Sequence, residues 1–460
     1  MVKFLTDEVG IYSGRLPSFF SLKTFAIPLL KIKKLVLYYL DINNLSLVSI
    51  CGAILKTIQL LTKSSLKVNH GERELSEKDV DELSKGIIPG EWVCLVDQNL
   101  QKKYIAYVNS NADVFFKIKI LKAVEWTFVV TASESKIAEG ILDELLLASI
   151  KKRDIFKDYQ QGCRLVYGIN DSLPGLIVDK YKKYILIQIN TAGLDRFREI
   201  IREIIKKNFL DHKVLFYDNE EYRKAEVLPV HEKEFMDCEL EVFENELSYK
   251  IPLNIMQKIG YYYDHRENRS RLKSLLMRLN VKKEKGLDLF SYVGSWGLHL
   301  LSAGVKSVDF VDQGNMQQAI EGNLELNSFS GRGMFFRSDV FKYLDQAILE
   351  NKKFDVIVSD PPAFTKSEKN KLTALQGYEK LHLKAMKLLN DVGIMVVASC
   401  THYASHEELD KTVQDAAFRN GQKVQLLDLG GQGFDHPMVG LKDKGFYIKY
   451  LVYYVTRGLS

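Results

Sequence analysis

The sequence predicts an α/β protein: a doubly wound parallel sheet in its C-terminal part, preceded by an α+β central region and a small β-barrel. Three observations carry this. The chain has 460 residues, room for about three domains at roughly 150 residues each. Residues 281–460 alternate short apolar runs with amphipathic stretches, the rhythm of helices laid on both faces of a parallel sheet. Residues 91–121 hold short apolar runs separated by turn formers, the spacing of a small barrel.

Composition excludes several classes. Hydrophobic residues make up 46%, charged residues 27% and aromatics 11%, which rules out a chain that is disordered over most of its length. With 9 Pro and 29 Gly it is not collagenous. The net charge is only +5, weak evidence for a polyanionic partner. Five cysteines (Cys51, Cys94, Cys163, Cys238, Cys400) lie at least 43 positions apart without a CxxC pair. That excludes a zinc ribbon, predicts no metal site and fits a reducing compartment. The first ten residues do not read as a signal peptide. The longest uncharged apolar run, 42–55, is 14 residues, short of the ~18 that span a bilayer. The expected location is cytoplasmic.

Residues 1–66 carry much of the basic excess and fit neither helical nor strand period, so they are taken as an N-terminal extension of unassigned role. Residues 67–122 are expected to form the small β module, with strands at 91–96, 103–108 and 114–121. The central domain spans 123–249, with a helix at 137–151, strands at 164–167, 176–179 and 184–189, and a helix at 197–209. From 250 to 460 strands are predicted at 286–290, 307–311, 334–337, 354–359, 394–399 and 424–429. In such sheets ligands bind beyond the carboxyl ends of the strands.

The first strand runs through Asp288 and Phe290 into a turn at Gly294 and Gly297. Its spacing is not GxGxxG, which disfavours a dinucleotide. Asp288 is an acid on an apolar strand and needs a donor, either a ligand ammonium or a backbone N–H. Asp312, 18 residues after Gly294, is placed to accept ribose hydroxyls. Asp339 follows the third strand, where it can accept from an adenine amino group or cap a helix. The fourth strand ends in Asp360-Pro361-Pro362-Ala363-Phe364, a stiff loop suited to a planar substrate, with Phe364 available for stacking. The fifth ends at Cys400, a candidate nucleophile, followed by His402 and Tyr403. Arg266, Arg269, Arg271 and Lys273 form a basic cluster, read as a phosphate contact or, for the last two, a solvated helix face.

Taken in order, the strings at 257–269, 288–297, 360–364, 399–402 and 435–437 resemble those of the bacterial class I S-adenosylmethionine-dependent 23S ribosomal RNA cytosine-5 methyltransferases. The resemblance covers residues 67–460. It implies a PUA domain at 67–122 and a Rossmann-like catalytic domain at 250–460. It also implies S-adenosylmethionine held by Gln257, Arg266, Asp288, Phe290, Gly294, Asp312, Asp339 and Asp360. Pro361, Pro362 and Phe364 would meet the substrate, and Cys400 would be the nucleophile, with Asp360 bonding the cytosine ring. Ile259, His265 and Tyr403 depart from the family's usual Thr, Gln and His, and residues 1–66 have no counterpart. The partner implied is RNA, and a homodimer is allowed for. Two other readings stand beside this one: methylation of another base atom, such as one of guanine, without a Cys nucleophile, and a non-enzymatic RNA-binding assembly factor.

Overall fold

The computed structural model describes residues 55–83, 86–128, 132–234, 236–256, 260–365, 367–440, 443 and 445–458. The expectations for residues 1–54 and for Gln257 lie outside them.

The first sheet is built from β1 (Lys56–Gln59), β2 (Glu74–Leu75), β3 (Glu91–Asp97), β4 (Lys102–Val108) and β5 (Ile118–Val124), with α1 (Thr62–Asn69) after β1. Its order is β1-β3-β4-β5-β2, and a single bridge from Leu60 to Val80 brings the two edges together. β1 runs parallel to β3, so residues 55–66 belong to this module and its start moves upstream of 67. β5 begins at Ile118 rather than 114, because the Asn109 N–H closes a turn on the Lys117 carbonyl at 2.9 Å. Both faces of the sheet are buried. Val93, Leu95, Tyr104 and Ala106 face inward, while Trp92, Cys94, Val96 and Tyr107 pack on the central region. The period of two that assigns these faces is simply that of a strand. The Trp92 indole donates to the Gly193 carbonyl at 2.9 Å and the Tyr107 hydroxyl to that of Pro174 at 2.6 Å.

The central region holds α2 (Glu134–Asp154), β6 (Cys163–Tyr167), β7 (Leu176–Lys180), β8 (Tyr184–Ile189), α3 (Ala192–Asp195), α4 (Arg198–Asn208), β9 (Lys213–Phe216) and α5 (Glu220–Ala225). The sheet order is β6-β7-β8-β9, and α4 buries Ile201, Ile204 and Ile205 on it. A hairpin follows, β10 (Leu240–Glu244) and β11 (Leu247–Ile251). Its two-residue turn puts Asn245 and Glu246 at φ 50° and 71°, the left-handed pair that matches strand twist. The expected boundary at 249/250 cuts through β11. The hairpin in fact docks on the catalytic domain: the Ser248 and Lys250 N–H groups donate to Asn327 and Asn323 at 2.9 and 2.8 Å.

The C-terminal domain comprises α6 (Arg266–Arg278), β12 (Lys285–Leu289), α7 (Ser295–Ser302), β13 (Ser307–Asp312), α8 (Gln317–Leu326), β14 (Gly333–Arg337), α9 (Val340–Leu349), β15 (Phe354–Ser359), α10 (Lys371–Lys387), β16 (Leu389–Ser399), α11 (His406–Arg419), β17 (Gln422–Gly430) and β18 (Lys449–Arg457). The order is β14-β13-β12-β15-β16-β18-β17. Alternate strand residues face α6–α8 on one side and α9–α11 on the other. β18 was not foreseen. It inserts antiparallel between β16 and β17, so the sheet is mixed rather than all parallel. Its run of apolar residues is buried on both faces and shows no alternation from which a strand could be read. The order reverses between β12 and β15, and the crevice opens there.

Candidate active site

The turn after β12 is shaped for close approach. Phe290 and Tyr292 hold φ of 63° and 46°, and Gly294 84°. Left-handed backbone at two residues with side chains is strained, at roughly 1 kcal/mol or more each, and persists because the turn is tied on all sides. The Ser291 N–H donates to the Val311 carbonyl at 3.1 Å and the Tyr292 N–H to Asp312 Oδ2 at 3.0 Å. Gly297 begins the part of α7 that lies on β13, where a Cβ would stand 2.1 Å from the Phe310 ring.

Asp288 points to the α7 side of the sheet and is fully buried. Its Oδ2 accepts the Gly297 N–H at 2.8 Å, whereas Oδ1 meets no donor among the described residues. Burial, with smaller pushes from Asp360 and Asp312, lifts its carboxyl to about 8. Asp312, half-buried at the end of β13, takes the N–H groups of Tyr292 and Gly314, the latter at 2.8 Å. Asp339 caps α9 through the Lys342 N–H at 3.0 Å and is exposed, the helix-cap arrangement weighed for it above.

Asp360 leaves β15 into the crevice. The Trp296 indole donates to its Oδ2 at 2.9 Å, and His265 Nε2 lies 3.7 Å from Oδ1. His265 is buried, and its Nε2 has no hydrogen-bond partner among the described residues. Its place beside the acid was not legible from the sequence, where it stood only as a departure from Gln. Pro361 is buried and Pro362 exposed. Phe364 packs on Tyr378 of α10, ring centroids 4.6 Å apart. One side of the ring expected to stack on a base is thus taken by α10.

Cys400 follows β16, the parallel neighbour of β15, with Ser359 opposite Val397. It is half-buried. Burial is the main reason the Tyr378 hydroxyl is pushed up to about 12, and charges at Cys400 and Asp360 add to it. Burial, with smaller pushes from Tyr292, Asp264, Cys400 and Asp360, likewise raises the half-buried Tyr262 hydroxyl. Cys400 and Asp360 follow neighbouring parallel strands at the same end of the sheet. His402 is exposed, its ring 5.5 Å from that of Tyr447.

Arg266 and the basic cluster meet protein partners. Arg266 is buried, donating to the Gly162 carbonyl at 2.6 Å and lying over the Tyr159 and Tyr263 rings at 4.6 and 4.7 Å. Within the basic cluster, Arg269 forks onto buried Glu244 at 2.5 and 2.9 Å, whereas Arg271 and Lys273 make surface ion pairs, with Asp428 and with Glu246 at 2.8 Å, as on the solvated helix face weighed for them above. Asp435 and His436 lie at a domain seam. Asp435 accepts the Arg164 N–H at 2.9 Å and binds His436 Nδ1 at 2.8 Å.

The chemistry present fits S-adenosylmethionine. An orphaned buried carboxylate oxygen at Asp288 suits its ammonium, and Asp312 suits its ribose hydroxyls. Among the described residues no cluster could hold a metal ion, and no helix is long and apolar enough to cross a membrane.

A sheet of this order is shared with solved methyltransferases. A Streptococcus mutans chain assigned as a SAM-dependent methyltransferase and a methyltransferase complexed with SAH each superpose with a TM-score of 0.68 at 18% identity, over 87% of this chain and 100% of theirs. The chain shares the fold of these proteins. A family model described as Conserved hypothetical protein 95 matches residues 269–423. Ribosomal RNA large subunit methyltransferase I of Aeromonas salmonicida is 32% identical over 72% of this chain and 84% of its own length. The protein of the same name from Escherichia coli K12 is 29% identical over 78% and 89%. The chain belongs to the ribosomal RNA large subunit methyltransferase I family.

Proposed function

We propose that the protein methylates carbon 5 of a cytosine in large-subunit (23S) ribosomal RNA through a covalent adduct at Cys400, in the cytoplasm. The observation that carries this is the placement of Asp360 and Cys400 just past the carboxyl ends of the neighbouring parallel strands β15 and β16. The names of the relatives support the substrate class.

Carbon 5 of cytosine is a poor nucleophile. Cys400 as thiolate adds to carbon 6, forming a C–S bond and pushing the ring electrons to carbon 5. Asp360, held by Trp296, bonds the ring and draws electrons from carbon 6. Bound S-adenosylmethionine supplies the methyl group that carbon 5 takes up. A base then removes the carbon-5 proton, the C–S electron pair returns to sulfur, and the double bond reforms. The target base must leave its stack, at a few kcal/mol, which favours an exposed RNA segment. Pro362 meets the substrate, and the β module acts as a PUA-like platform that reads RNA by shape and backbone. Asp288, Gly294 and Asp312 hold the cofactor, with Phe290 and Asp339 towards its adenosine.

The test is nucleoside mass spectrometry of 23S ribosomal RNA treated with the pure enzyme and cofactor. The product expected is 5-methylcytidine, absent with Cys400→Ala. A methylated guanosine, or full turnover by Cys400→Ala, overturns the proposal.

A further inference from the structure

Lys449 opens β18 directly opposite Ser399 at the end of β16, and is 4% exposed. Its ammonium donates to the Thr401 carbonyl, one residue beyond Cys400, at 2.6 Å. The Phe446 ring lies 5.9 Å away. Among the described residues no carboxylate comes within ion-pair distance of that ammonium. A buried charge without a counter-charge is costly, so a cation kept here needs a negative group close by. The groups that face it are few. The ammonium also reaches the Tyr447 carbonyl at 3.4 Å, and the charged groups acting on it are the thiol of Cys400 and, more weakly, Glu408 of α11.

We propose that Lys449 is the positioning residue for Cys400: it pins the backbone just after the sulfur and sets a buried positive charge that favours the thiolate. The inference rests on the reading of Cys400 as nucleophile and adds the group that readies it. Thiolates form at lower pH beside a cation, and the influence is mutual. Burial pulls the Lys449 ammonium down to about 8, against which a charge at Cys400 pulls it up. The cation is therefore present at neutral pH and fades as pH rises through 8.

The experiment reads alkylation of Cys400 by iodoacetamide across pH, followed by peptide mass spectrometry on the full chain. Lys449→Gln keeps a donor for the Thr401 carbonyl but removes the charge, and Lys449→Arg keeps the charge. The expected result is a Cys400 profile moved up by about one pH unit in Lys449→Gln, so about tenfold slower alkylation at pH 7, with Lys449→Arg close to wild type. Superimposable profiles for wild type and a folded Lys449→Gln overturn the proposal. If Lys449→Gln does not fold, the wild-type profile decides: a midpoint below the ordinary thiol value of about 8.5 supports the proposal, and one at or above it overturns it. Failure of the nucleophile reading shows separately, as turnover by Cys400→Ala.

Discussion

Asp288 is a carboxylic acid buried at the junction of a strand and a helix, with one oxygen on the Gly297 N–H and the other without a donor. Its proton is held up to about pH 8, because neither burial nor the neighbouring acids favour a second negative charge there. An incoming ammonium reverses that balance. Cofactor binding at pH 7 is thus expected to release close to one proton, seen in calorimetry as a heat that depends on the buffer's ionisation enthalpy. Asp288→Asn should abolish the release and weaken binding at least tenfold. A buffer-independent heat in the wild type would remove Asp288 from the ammonium site. Sequence reasoning picked out Asp288, Asp312, Asp360 and Cys400 because acids and a thiol are rare at the ends of apolar strands. It could not place Arg266, His265 or Lys449. What decides their roles is which buried partner they meet, Glu244, Asp360 or the 399–401 turn, and those partners come from distant segments.

At the scale of elements, the β10–β11 hairpin shows how a small piece is tied to the catalytic sheet. Glu244 is buried and forked by Arg269, with Arg266 Nε 3.5 Å away. Burial alone would raise its carboxyl, but Arg269 and the cations around it outweigh that and hold it below the ordinary range. A carboxylate depressed in the folded state adds stability above its unfolded pKa and loses it as pH falls through the folded value. The hairpin should therefore loosen in acid, below the usual glutamate range, as followed by hydrogen exchange at Ser248 and Lys250. Glu244→Gln leaves Arg269 buried without a counter-charge and should cost about 3–5 kcal/mol in urea unfolding. A cost under about 1 kcal/mol would show that the pair is not what holds the hairpin. Strands with alternating or bounded apolar runs, such as β3, β4 and β15, were legible from periodicity. β18 was not, being apolar on both faces, and β1, β2 and β9 were too short to carry a period.

Across the molecule, the central region and the catalytic domain share charged groups. Arg153 forks onto Asp171 at 2.9 and 2.7 Å and also donates to the Asp435 carbonyl at 2.8 Å, while the Asp435 side chain takes the Arg164 N–H. The loop carrying Asp435 runs on to Tyr447 and Lys449, which line the Cys400 side of the crevice. Loss of the Asp435 carboxylate leaves buried donors unpaired, at about 2–4 kcal/mol. Asp435→Ala should therefore lower the urea midpoint and speed proteolytic cleavage within 431–447. An unchanged cleavage rate would mean the seam does not hold this loop. The strand–helix alternation of residues 281–460 was legible from rhythm, but the seams were not. β1 joins the β module across the 67 boundary and the hairpin joins the catalytic domain across 249/250, through pairings that local sequence does not express.

The proposed reaction requires the Cys400 sulfur to bond to the base that receives the methyl group. RNA in which cytosines are replaced by 5-azacytosine cannot release the enzyme after methyl transfer, because no carbon-5 proton is left to remove. Incubated with such RNA and S-adenosylmethionine, the wild-type protein should form a denaturation-resistant adduct whose crosslinked peptide contains Cys400, and Cys400→Ser should form none. An adduct of equal yield with Cys400→Ser, or a crosslink at another residue, would contradict it.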